Sequence, residues 1–187
     1  MATKKKTLEP LRRSLPSYPP KKVVDEFGDD ITPGFGGNVS QSPKFITDGH
    51  VLLLRSAVPP DHAEIKNAED YGGKKPTEAS ILAVWQPAEK RGSAEASFIG
   101  CAEVESVGDV AVIRDSGDRI VLVNPHLLQF CIHHLRPHGM RVALGPKYFG
   151  QPVSFHKDAA LVGLLMPMRV SAQDVASYDL TTAPIRL

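Results

Sequence analysis

Apolar and polar positions along this chain alternate mostly in short runs, interrupted twice by the wider repeat of an amphipathic helix. "KFITDGHVLLLRSAV" predicts a strand centred on Val51–Leu54, entered through the turn signal Asp48-Gly49. The polar stretch "PPDHAEIKNAEDYGGKK" reads as a long loop. In "PTEASILAVWQP", Pro76 and Thr77 are helix start signals, Ile81, Leu82 and Trp85 recur at helical spacing, and Pro87 is expected to end the helix. Three β-type runs follow: "SFIGCAEVE" (97–105), "DVAVIRD" (109–115) and "RIVLVN" (119–124). A second helix, "PHLLQFCIHHLR", opens with Asn124 as N-cap and Pro125 at its first position, and stops before Pro137 and Gly139. The runs "MRVALG" (140–145), "QPVSFH" (151–156) and "LVGLLMP" (161–167) complete the pattern. The order is β-α-β-β followed by β-α-β-β-β. This predicts an α+β fold in which antiparallel strands carry two helices on one face.

Placed on a wheel, Leu127, Leu128, Cys131, Ile132 and Leu135 share one arc of the second helix. His126, Gln129, His133 and Arg136 occupy the opposite arc, with Phe130 and His134 at the margins. The polar arc reads either as a solvated face or as a surface resting on a phosphate backbone. Neutral imidazoles are weak phosphate partners, so such a contact would strengthen below the ordinary histidine pKa of about 6.5.

Composition separates the rest of the chain from this core. Residues 1–43 begin basic and proline-rich and turn acidic and glycine-rich, with few apolar side chains to offset the entropy of ordering. They are expected to form a disordered arm, with residues 44–170 as the folded domain and 171–187 as an extension. The net charge of +1 argues against a nucleic-acid binder that relies on overall electrostatics, while leaving room for a local basic patch. Cys101 and Cys131 lie in apolar stretches without metal-ligand spacing and read as reduced, buried thiols. No apolar run of about 18 residues occurs, so a cytoplasmic protein without a membrane span is expected.

Chemistry is sparse. His126, His133, His134 and His138 are not completed by an HExxH, a Cys/His pairing or a nearby carboxylate, so no metal is expected. There is no nucleophile elbow, phosphate-binding GxxxxGK or dinucleotide fingerprint, and "TPGFGG" (32–37) follows an arm rather than a strand. The expectation is a non-enzymatic protein without a cofactor.

One resemblance adds to this. "RIVLVNPHLLQFCIHHLRPHGMRVALGPKYFGQPVSFHKDAALVGLLMPMRV" resembles the end of the bacterial DNA polymerase III beta subunit, the sliding clamp, over about residues 119–170. The family's last domain has an Asn-containing helix start, a Leu-rich helix and three strands ending in a Met-Pro-Met-Arg-Leu type terminus. The resemblance implies a single DNA-clamp-like domain of two β-α-β-β-β type units. It also implies that Leu164, Leu165, Met166, Pro167, Met168 and Val170 line a cleft for peptides of replication or repair proteins, with Arg169 at its rim. By position, His126, Gln129, His133 and Arg136 would face duplex DNA. A ring would require self-association of about six copies. The alternative is a structural or regulatory interaction module that keeps the clamp fold without encircling DNA.

Overall fold

The computed structural model describes residues 8–19, 21–28, 44–58, 77–91, 94–135, 140–145 and 151–185. The first strand expected from the sequence is a hairpin of β1 (Phe45–Thr47) and β2 (Val51–Leu54). Its turn is closed by Asp48, whose carboxylate accepts from the amides of His50 at 2.8 Å and Val51 at 2.7 Å, while Gly49 takes φ of 89°. Helix α1 (Glu78–Lys90) follows, then β3 (Ala94–Val104), β4 (Gly108–Asp115) and β5 (Ile120–Val123). Helix α2 (Pro125–Leu135) leads to β6 (Met140–Leu144), β7 (Val153–Lys157) and β8 (Ala160–Leu165).

Each helix starts where its cap dictates. The Thr77 hydroxyl accepts from the Ser80 amide at 3.2 Å, and the Asn124 side chain accepts from His126 and Leu127 at 2.9 and 3.2 Å. Pro87 does not end α1, contrary to expectation. It withholds one bond from the Ala83 carbonyl, but Trp85 and Ala88 are buried on either side of it and carry the helix on to Lys90.

Among the described residues, eight strands form one antiparallel sheet in the order β1-β2-β8-β7-β6-β3-β4-β5. Helix α2 touches β2, β4 and β8. In a flat sheet β2 and β4 would lie about 24 Å apart at 4.8 Å per strand, more than the roughly 10 Å width of a helix. The sheet therefore curls around α2, and the main core fills this inner face: Val51, Leu53, Phe98, Ile113, Val123, Phe155 and Leu165 pack on Leu128, Cys131 and Leu135. Gly163 on β8 fits this packing, since a Cβ there would meet Leu53 at 2.9 Å and Leu135 at 3.1 Å.

Strand alternation then corrects the expected placement of the helices. Leu52 and Leu164, one step along from Leu53 and Leu165, point the other way and pack with Ile81, Trp85 and Ala88 of α1. The two helices therefore lie on opposite faces of the sheet, α2 inside and α1 outside.

The other half of the outer face is covered by the chain's ends. Leu11 and Val175 are buried against Ile99, Ala102, Val110, Val112 and Leu122 of β3–β5. The arm expected to lack order is, over residues 8–18, seated on the domain. Leu11, Leu15 and Tyr18 find the core while Leu8 stays exposed, which a count of apolar residues along the sequence does not reveal. The extension is seated as well. A short 3-10 turn (Ala172–Val175) starts at a capping box of Ser171 and Asp174, and Arg114 donates to the carbonyls of Leu180 and Thr182.

Candidate partner-binding pocket

The Asp48 turn projects the β1–β2 hairpin beside the first turns of α1, and β8 ends beneath them. Between the three lies a pocket of about 160 Å³. Ile81 and Val84 form its α1 wall, Leu164 and Met166 its floor, and Thr47, His50 and Ser80 a polar rim. Met166 is held there by its amide, which donates to the His50 carbonyl at 2.8 Å. Thr47 is used in the turn, accepting from the Gly49 amide at 3.0 Å, and the Ser80 hydroxyl donates to the Thr77 carbonyl at 2.7 Å. Val84 is 42% exposed, so one apolar wall reaches the surface. The volume suits one large apolar side chain, and burial on folding is already complete behind it, because Ile81 and Leu164 are part of the α1 core.

The structure divides the run Leu164–Val170 among three environments. Leu164 and Met166 meet in the pocket. Leu165 points the other way into the core under α2. Pro167 is half-buried at the turn between them, and Arg169 is exposed. Met168 donates its amide to the Leu122 carbonyl of β5 at 2.8 Å, and its side chain, with that of Val170, packs under the C-terminal extension. A single cleft lined by all seven is therefore not formed: alternation along β8 separates Leu164 from Leu165, and the proline turn carries Met168 to the far edge of the sheet.

The polar arc of α2 is narrower than the wheel implies. Eight of its 11 residues are buried, including Phe130 and His134. His126 and Gln129 are half-buried and His133 is exposed, while Arg136 lies outside the described residues. Burial holds the His126 imidazole below its ordinary range, with Asp109 opposing the shift and Arg12 adding to it. The Tyr18 ring lies 4.3 Å from that of His133, and its hydroxyl is 3.1 Å from Nε2 of His134. The arm thus rests on the face that was expected to meet DNA.

Thr47, His50, Ser80 and Val84 carry no motif. The signals that could have found them are the Asp48-Gly49 turn and the Thr77 cap, which place a hairpin tip and a helix start side by side once β2 pairs with β8. Cys101 and Cys131 are free and buried, and burial raises both thiols, Cys131 well above its usual range. Among the described residues, no group of three or more His, Cys, Asp or Glu could hold a metal ion, and no helix is long and apolar enough to cross a membrane. Compared with known proteins, the chain matches no family model, no curated protein and no solved structure.

Proposed function

We propose that this chain is a non-enzymatic, cytoplasmic interaction module that keeps a clamp-like order of elements without encircling DNA. It would take an apolar side chain from a segment of a replication or repair protein into the pocket between α1, β2 and β8. The observation that carries this reading is the exposed Val84 facing Met166 across an apolar pocket whose rim is polar. Methionine suits such a wall, being flexible and polarizable. From β2 onward the order is one β-α-β-β-β unit followed by a helix and three strands, which supports the clamp-like description. Helices on opposite faces cannot both line one pore, and this favours a module over a ring.

The reading is tested with fluorescent peptides carrying an adjacent Leu-Phe pair, titrated into the full chain and followed by anisotropy, with Ala-Ala versions as controls. Binding in the micromolar range is expected, and Val84→Glu, at an exposed position, should weaken it at least tenfold. Equal anisotropy for Leu-Phe and Ala-Ala peptides would sink the proposal. The second reading, a ring on DNA, has the resemblance of residues 119–170 in its favour. Retention of multimers on circular but not linear DNA, read by light scattering, would establish it in place of the first.

A further inference from the structure

Strand β3 pairs with β6 only at Ala94 and Glu95, which leaves the same edge open from Ala96 onward while β4 occupies the other. At Phe98 that edge takes Ile185 of the C-terminal segment, whose amide donates to the Phe98 carbonyl at 2.8 Å, and at Cys101 it takes a strap from the N-terminal segment. Arg12 and Cys101 exchange both backbone bonds, at 2.9 and 2.8 Å, as an added antiparallel strand would. Gly100, with φ of 148°, makes room for it: a Cβ there would lie 2.6 Å from Cβ of Leu11. Leu11 enters the outer core, and Leu15 and Tyr18 reach the inner one. The flanking cations have separate partners. Arg12 meets the Asp109 carboxylate at 2.7 Å, and Arg13 donates to the carbonyls of Ile99 at 3.1 Å and Ala183 at 2.7 Å. This is a groove with an apolar notch, a carboxylate and outward carbonyls, occupied by the segment that fits it.

We propose that this groove is a strand-exchange interface, in which the strap of a second copy replaces the chain's own. Each strap contact named above joins residues far apart in sequence, from 86 to 170 positions for the side-chain bonds of Arg12 and Arg13. The same bonds form whichever copy supplies the strap. Residues 29–43, which join the strap region to β1, reach at most about 50 Å at roughly 3.4 Å per residue, enough to leave one protomer for another. The two arrangements then differ chiefly in concentration. A segment joined to its groove by a short linker has an effective concentration of about 1 mM, so the strap stays on its own chain in dilute solution and exchanges where copies are crowded together.

The test is complementation between two full-length variants. Leu11→Asp/Leu15→Asp keeps the groove and loses the strap's anchors. Gly100→Ala keeps the strap and blocks the groove, and Asp109→Lys serves as a second, milder block. Each alone should be monomeric by light scattering. Mixed, they should form a 1:1 heterodimer at least tenfold more abundant than dimers of either variant, and a mixture that stays monomeric while circular dichroism shows both folded overturns the proposal. Should a variant fail to fold, hydrogen exchange on the wild-type chain decides. The Cys101 amide, held by Arg12, should exchange at least tenfold faster than that of Leu128 in α2 if the strap opens independently, and equal rates overturn exchange.

Discussion

The outer face of the sheet is covered in two ways. Over β2 and β8 it is covered by α1, which buries Ile81, Trp85 and Ala88 and leaves Val84 and Met166 beside an open pocket. Over β3–β5 it is covered by the two ends of the chain, which bury Leu11 and Val175 and half-bury Met168, Val170, Tyr178 and Leu180. A helix presents a rigid ridge that meets the curled sheet along one stripe, so a gap remains where its first turn rises from β8. Two extended segments follow the surface residue by residue and close it. The helix side therefore offers a ready-made pocket, and the strap side offers a site only when a segment lifts away.

Breaking each cover should show that difference. The largest effect is expected from Trp85→Ala, since Trp85 is buried against Phe45 at a ring separation of 4.9 Å and α1 cannot detach without exposing the sheet. Urea denaturation should report a loss of about 3–5 kcal/mol. Leu11→Ala should cost less, about 2 kcal/mol, at the low end for a buried leucine because the strap can lift off instead of leaving a cavity. A loss equal to that of Trp85→Ala would mean the strap is as integral as the helix.

Between the two covers lie β6 and β7, where buried Ser154 and His156 face the outer side. The serine hydroxyl is 3.0 Å from Nε2 of His156 and donates to the Ala143 carbonyl at 3.1 Å. Burial, aided by Arg141, holds the His156 imidazole below its ordinary range. Because the unfolded chain takes up this proton near pH 6.5 and the folded chain resists it, the contribution is complete above about 6.5 and is lost as pH falls through the folded value. The urea midpoint should therefore drop between pH 7 and pH 5, with a slope of at most about 1.4 kcal/mol per pH unit from this group, and His156→Gln should flatten that slope. An unchanged slope would place the pH dependence elsewhere, with His126 the next candidate. The smallest effect on stability belongs to Val84→Glu, within about 0.5 kcal/mol, because it changes only an exposed wall of the pocket.

Much of the local structure was legible in residue order. Alternation located β3 to β8 within a few residues, Asn124-Pro125 marked the start of α2, and Asp48-Gly49 marked a turn whose first arm, Phe45–Thr47, was too short to stand out alone. These are short-range matters of capping, turn geometry and side-chain period, and a sequence determines them directly. The site was legible only in part. Leu164 and Met166 were among the expected cleft residues, but their neighbours across the pocket come from a hairpin tip and a helix far away in sequence.

What the tertiary structure alone decided is which surfaces meet. Period two along β8 states that Leu164 and Leu165 face opposite ways, and is silent on which of them meets α1 and which meets α2. That follows from the pairing of β2 with β8 and from the curl of the sheet around α2, both long-range choices made by the summed burial of many side chains. The arm shows the same limit. A proline-rich, basic segment carrying Leu11, Leu15 and Tyr18 reads as disorder until an open strand edge, a glycine notch and a carboxylate are brought together to receive it.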